Sequence, residues 1–118
     1  MSDPLAKDVG SKFRNAIQEK LAPGEEVQVG VILASAEFNR WKPRLFVTDR
    51  NIITVKKNLI GSQSRTIPLD TISDIETVEH KAFKIEIEGR NGVDETYIMG
   101  ADDGRKVLAA IRSGMNYS

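Results

Sequence analysis

Several residue types that build common functional sites are scarce in this chain of 118 residues. There is no cysteine, which excludes disulfide bonds and thiolate zinc sites and fits a reducing compartment. His80 is the only histidine, so metal sites with several histidines are excluded, and a nucleophile system that needs a histidine would rest on this one residue. No glycine-rich loop of the kind that cradles phosphates is present. We therefore expect a non-catalytic protein that uses no metal ion or other cofactor.

Long apolar segments are missing too. The longest apolar stretch, residues 27–36, is interrupted by Gln28 and is too short to cross a membrane. The first residues show no basic region followed by an apolar one, and no lipidation motif is visible. We therefore expect a cytoplasmic protein, which becomes peripheral at a membrane if it binds lipid.

The formal net charge is zero, but the charges are unevenly distributed along the chain. Residues 36–66 carry seven basic and two acidic side chains, whereas residues 67–103 carry three basic and ten acidic ones. A fold that separates these stretches in space would be electrically polar; the alternative is that charges on exposed strand faces merely solvate them. A pI near 6.6 argues against nucleic acid as the main partner.

The apolar spacing predicts a single domain over residues 1–118, with a helical extension at residues 1–21. A stripe that recurs every four residues marks this N-terminal helix, over residues 4–21: Leu5, Val9, Phe13, Ile17 and Leu21. The stripe favours packing against the rest of the domain or against a second copy. An interfacial membrane helix is the alternative, but the polar side of the helix is not strongly basic.

From residue 26 to residue 100 the pattern is that of seven short strands with hairpin-length connections. The clearest alternation is that of Phe83, Ile85 and Ile87 with charged neighbours. Pro68 in the fourth strand predicts a sheet edge or a bulge, because proline cannot donate to a ladder. A final helix follows over residues 102–114. Such a meander curls into two nearly orthogonal sheets, which the terminal helix can close.

Two segments carry a resemblance to a known family. Residues 44–53, RLFVTDRNII, look like the paired second and third strands of pleckstrin-homology-like domains, and residues 65–75, RTIPLDTISDI, resemble the stretch that follows them. Both are similar to the tail-homology domain of class I myosins and to bacterial pleckstrin-homology-like domains, over about residues 26–113. The resemblance implies a mainly β protein: a seven-stranded antiparallel open barrel or sandwich with a C-terminal capping helix, here with an additional N-terminal helix.

Members of this superfold bind phosphoinositides, peptides or partner proteins, and the lipid binders place basic residues around the loop between the first two strands. Arg40, followed by Lys42 and Arg44, fits that pattern, although the first strand contains no lysine or arginine. In a meander the start of the second strand lies beside the end of the third, so Arg44 and Lys56 are expected to be close. The predicted ligand-binding residues are Arg40, Lys42, Arg44, Lys56, Lys57 and Arg65.

Trp41 lies within this basic loop. It is a candidate for contact with a membrane or a partner, and the alternative is that it covers one end of the core. The sequence thus predicts a binding module for anionic membrane lipid of the phosphoinositide type. The alternative is a protein-interaction or self-assembly module that uses a strand edge or the N-terminal helix. The oligomeric state stays open.

Overall fold

The computed structural model describes residues 11–35, 41–57 and 60–115. Two helices and seven strands follow one another along the chain: α1 (Ser11–Lys20), β1 (Val27–Ile32), β2 (Arg44–Thr48), β3 (Asn51–Lys57), β4 (Ser62–Pro68), β5 (Ile72–Glu79), β6 (Phe83–Gly89), β7 (Asp94–Met99) and α2 (Ala101–Met115). This order confirms the predicted mainly β fold with a helix at each end. Leu5 and Val9 of the predicted N-terminal helix lie outside the described residues.

The strands form two antiparallel sheets. Sheet A has the order β1-β2-β3-β4, and sheet B has the order β5-β6-β7. At the end of β1 the backbone N–H of Ala34 donates to the carbonyl oxygen of Ile98, at 2.8 Å, which ties the two sheets together. β4 is an edge of sheet A and ends at Pro68, so the edge position predicted from this proline is confirmed.

The main core lies between the two sheets and α2. In β6 the side chains of Phe83, Ile85 and Ile87 are buried, while the charged residues between them reach the surface, as the alternation predicted. α2 closes the barrel with Val107 and Ile111, which are fully buried among the residues of both sheets. The helix and the two inner sheet faces therefore share one core.

A second, smaller core lies on the outer face of sheet A. The outward-facing side chains Phe46, Ile53 and Val55 are buried there under Phe13 and Ile17 of α1. The predicted packing of the N-terminal helix against the domain is therefore present in its described part. Phe13 and Ile17 are not available to a membrane surface in this arrangement, which contradicts the interfacial-helix alternative for these residues. Among the described residues, no helix is long and apolar enough to span a membrane.

Candidate functional site

A groove of about 310 Å³ lies between sheet A and β7, where β4 and β7 are edge strands of different sheets. Its floor is apolar, and its walls carry hydroxyl, amide and cationic groups. We call it the mouth groove, and its lining residues are Leu33, Pro43, Thr54, Lys56, Gln63, Ser64, Arg65, Thr96 and Tyr97. Burial and the nearby carboxylate of Glu95 raise the pKa of the Tyr97 phenol, so this hydroxyl stays protonated at neutral pH.

The structure brings two of the predicted ligand-binding residues together in the mouth groove. Lys56 follows Ile52 and Thr54 on the inner face of β3, and Arg65 on β4 is the register partner of Thr54. The Arg65 guanidinium already forms an ion pair with Glu95 of β7. An anion that uses Arg65 must therefore compete with a carboxylate of the protein itself.

Arg44 and Lys57 lie on the opposite face of sheet A, against α1. Arg44 is only 2% exposed, its guanidinium carbon is 4.2 Å from the centre of the Phe13 ring, and it donates a hydrogen bond to the carbonyl oxygen of Lys42. The ammonium of Lys57 is 6.0 Å from the same ring centre. Arg44 therefore helps to hold α1 on the sheet, whereas Lys57 is only half-buried and lies at the outer limit of such a contact.

The expected proximity of Arg44 and Lys56 is wrong for their side chains. The register partner of Arg44 is Val55, and Lys56 is one residue further along β3. Because successive side chains of a strand point to opposite faces, this offset of one residue places the two cations on different sides of sheet A. The five described cations of the predicted site therefore do not form one cluster in space.

The predicted residues of the first loop are described in part. Lys42 and Trp41 are half-buried and precede Pro43 in the wall of the mouth groove. Arg40 lies outside the described residues, so its place in the site stays a prediction. The same holds for the proposed contact of Trp41 with a membrane or partner.

Ile60 is a candidate that the sequence reasoning missed. Its side chain is 97% exposed in the turn between β3 and β4, which follows directly on Lys56 and Lys57. We call Lys56, Lys57 and Ile60 the basic tip, and we call the basic tip together with the mouth groove the open end of the barrel. The signal in the sequence was an apolar pair, residues 59–60, placed in a turn beside two lysines.

The acidic stretch of the sequence forms the outer face of sheet B. Five carboxylates point away from the core there: Asp74, Glu76, Glu86, Glu88 and Asp94. Lys84 lies on the same face and pairs with Glu86 at 3.0 Å. We call this surface the acidic face. The acidic stretch therefore places five carboxylates on one face, but Glu95 of the same stretch pairs with Arg65 of the basic stretch, so the two stretches are only partly separated in space. In the described part of the chain, no group of three or more histidine or carboxylate side chains is placed to hold a metal ion.

The buried carboxylate of Glu25 fixes the turn between β2 and β3. Glu25 accepts hydrogen bonds from the Thr48 hydroxyl, from the Asn51 amide at 2.7 Å and from the Ala22 backbone N–H at 2.9 Å. Burial raises the pKa of Glu25, but these hydrogen bonds and the charge of Arg50 outweigh burial and hold the pKa below its usual value of 4.5. Glu25 is therefore ionised and structural.

Glu25→Gln is expected to lower the free energy of unfolding by about 2 kcal/mol near neutral pH, because hydrogen bonds to the charged carboxylate are lost. A carboxyl group with a lowered folded-state pKa stabilises the protein above its unfolded pKa, and this contribution disappears as the pH falls through the folded pKa. The difference between wild type and variant should thus shrink below pH 4.5. Urea unfolding over a pH series measures it, with the exposed neighbour Glu26→Gln as control. A difference that persists at low pH would contradict the ionised state of Glu25.

The sheets of four and three antiparallel strands, closed by α2, define a pleckstrin-homology-like fold, which is generally that of a binding module. Residues 21–113 match the sequence model of the family described as bacterial PH domain, and the chain belongs to this family. α1 precedes the matched region.

The chain is similar to solved structures that include the following two, and both likenesses concern the fold alone. The N-terminal PH domain of Vps36 is 16% identical, with a TM-score of 0.61 over 82% of this chain and 84% of that one. The C-terminal domain of an unknown protein from Leishmania infantum is 16% identical, with a TM-score of 0.59 over 88% and 95% of the two chains. Comparison with curated proteins gives no match.

Proposed function

We propose that this protein is a peripheral, non-catalytic module that binds anionic membrane lipid of the phosphoinositide type with the open end of its barrel. The observation that carries the proposal is the basic tip, where an almost fully exposed isoleucine follows two lysines. An apolar side chain beside cations suits the boundary between anionic headgroups and acyl chains. This function corresponds to a cytoplasmic protein recruited to a membrane surface.

The chemistry of the open end favours a moderate, cooperative interaction. Each cation close to an anionic membrane contributes about 1 kcal/mol, and a fully buried isoleucine contributes about 1.5–3 kcal/mol. Arg65 must leave Glu95 before its guanidinium can pair with a phosphate. The hydroxyl and amide groups of Thr54, Ser64 and Gln63 supply further donors to phosphate oxygens in the mouth groove.

Lys56→Glu is expected to reduce binding to anionic vesicles by about tenfold or more, because it removes one attractive charge and adds a repulsive one. The measurement is co-sedimentation of the full chain with vesicles of phosphatidylcholine alone, with added phosphatidylserine, and with an added phosphoinositide. Lys106→Glu, at an exposed position on α2, makes the same change of charge away from the site and serves as the matched control.

The vesicle series distinguishes recognition of a phosphoinositide from general binding to an anionic surface. Equal binding to phosphatidylserine and phosphoinositide at matched charge would reduce the site to a general anionic-surface contact. Equal loss of binding in Lys56→Glu and Lys106→Glu would remove the open end from the interaction, and no binding of the wild type to any vesicle would end the proposal.

A groove along the edge of sheet B favours peptide binding as a second candidate function. It has a volume of about 360 Å³ and lies between the unpaired side of β5 and the end of α2, where it is lined by Ser73, Asp74, Ile75, Arg112 and Met115. An extended peptide can add to such an edge through backbone hydrogen bonds. This candidate takes precedence if the wild type binds none of the vesicles.

A further inference from the structure

The acidic face of sheet B has an unfavourable arrangement of charge for an isolated domain. The pairing of its strands places carboxylates directly opposite each other in three cases: Asp74 with Glu88, Glu76 with Glu86, and Glu88 with Asp94. Like charges opposite each other on neighbouring strands are destabilising. A cationic partner laid on this face would turn the repulsion into attraction.

An apolar row borders these carboxylates. Val78, Lys84 and Ile98 are register partners across the three strands, and the two apolar members are 53% and 42% exposed. Because the Lys84 ammonium bends to Glu86, its methylene stem lies in the same row. A partner that fits this face therefore presents an apolar side chain flanked by cations.

The basic tip of the same chain has this chemistry. It offers an exposed Ile60 that follows Lys56 and Lys57 along the chain, and among the described residues Ile60, Val78 and Ile98 are the large apolar side chains with the most exposure. We propose that copies of this protein associate head to tail, with the basic tip of one copy docked on the acidic face of the next. Ile60 would contact the apolar row, and the two lysines would pair with carboxylates such as Glu76.

The two contact surfaces differ, so the interface is heterologous. An open assembly then has an unused basic tip at one end and an unused acidic face at the other. Such contacts continue into a ring or an open chain, according to whether the rotation closes. A hairpin tip buries less than the roughly 800 Å² per partner of a standard interface, so the association is weak and depends on concentration. Its electrostatic component makes it sensitive to salt.

The proposal does not depend on lipid binding, although both interactions use the basic tip. A copy whose tip lies on a membrane cannot dock that tip on another copy, but its acidic face remains accessible. Changes in the acidic face should thus affect self-association alone, whereas changes in the tip should affect both interactions. This difference allows the two proposals to fail separately.

Two variants of the full chain block one surface each. The tip variant combines Ile60→Ser with Lys56→Glu and Lys57→Glu. The face variant combines Glu76→Lys with Val78→Thr and Ile98→Thr, where threonine keeps the β-branched shape that suits an exposed strand position. Circular dichroism and urea unfolding establish that both variants are folded before association is measured. If the face variant fails to fold, Glu76→Lys alone replaces it.

Sedimentation velocity over a concentration series tests the proposal at about 10 mM and about 1 M salt, where the Debye length is about 30 Å and about 3 Å. We expect the wild type to associate at low salt, with a dissociation constant that rises at least about tenfold at high salt. Each variant alone should be monomeric. An equimolar mixture should form a dimer that grows no further, because the tip variant supplies an intact face and the face variant supplies an intact tip.

A wild type that is monomeric at low salt and high concentration would overturn the inference. So would a mixture that stays monomeric, or single variants that associate as strongly as the wild type. In vesicle binding the face variant should match the wild type, which keeps the result independent of the proposed lipid contact.

Discussion

Phe13→Ala is expected to lower the free energy of unfolding by about 3–5 kcal/mol, the usual range for removing a buried phenylalanine. The Phe13 ring fills the small core between α1 and sheet A, together with Phe46 and Ile53. The change also removes the ring that lies 4.2 Å from the Arg44 guanidinium. Chemical denaturation measures the loss.

The control for this prediction is Asn15→Ala, which alters an exposed position of the same helix and should change stability by less than about 0.5 kcal/mol. Phe13→Leu keeps an apolar side chain but removes the ring, and we expect an intermediate loss. A loss below about 1 kcal/mol for Phe13→Ala would mean that α1 detaches before the barrel unfolds, and that its packing adds little to global stability.

Gly104→Ala is expected to destabilise the protein by about 3 kcal/mol, although alanine is favoured over glycine by about 1 kcal/mol within a helix. A Cβ atom at Gly104 of α2 would lie 2.3 Å from Cγ and 2.5 Å from Cβ of Phe83. The Phe83 ring is buried in the core and its Cβ is fixed by β6, so the ring cannot swing away freely. The clash outweighs the helix propensity because α2 must move away from the sheet.

Two variants frame the measurement of this effect. Gly61→Ala adds the same methyl group where no atom lies within 4 Å, and it should be nearly neutral. Ala109→Gly, at an exposed position of α2, measures the difference in helix propensity between alanine and glycine without a clash. Urea unfolding gives the change in the free energy of unfolding for all three variants, so the clash and the helix propensity can be compared. A Gly104→Ala protein as stable as the wild type would show that α2 has room to shift.

The local pattern of the sequence was sufficient for the order of the elements. The strict alternation at Phe83, Ile85 and Ile87 predicted a strand with one buried face, and the structure shows it. The pair Asn91-Gly92 is a strong hairpin signal in any sequence, and Gly92 has the positive φ, 78°, that such a turn requires. Both signals involve only neighbouring residues, so they can be recognised in the sequence without knowing which strands pair.

The bounds of β3 and β4 follow less directly from the sequence. The apolar alternation of the third strand ends at Val55, whereas β3 continues to Lys57 and pairs with a β4 that begins at Ser62. The added residues of β4 are polar and exposed, so apolar periodicity gives no sign of them. Their strand conformation comes from hydrogen bonding to the neighbouring strand.

The candidate site was predictable only in part. Lys56 and Arg65 were named from the sequence and do meet in the mouth groove. Arg44 was named with them, yet it lies under Phe13, because the register of β2 and β3 directs it to the outer face. Glu25 gave no signal at all, since two of its three partners come from a turn more than twenty residues further along the chain.

The sequence by itself determined that this chain is an open barrel of seven strands with a helix at each end, and that its charge is divided between two halves. Hydrophobic periodicity, turn residues and composition act over a few neighbouring residues, which is why they could be read directly. Only the tertiary structure decided which cations share a surface and that the carboxylates of sheet B stand opposite one another. The physical reason is the period of two in a strand: a shift of one residue between partners moves a side chain to the other face.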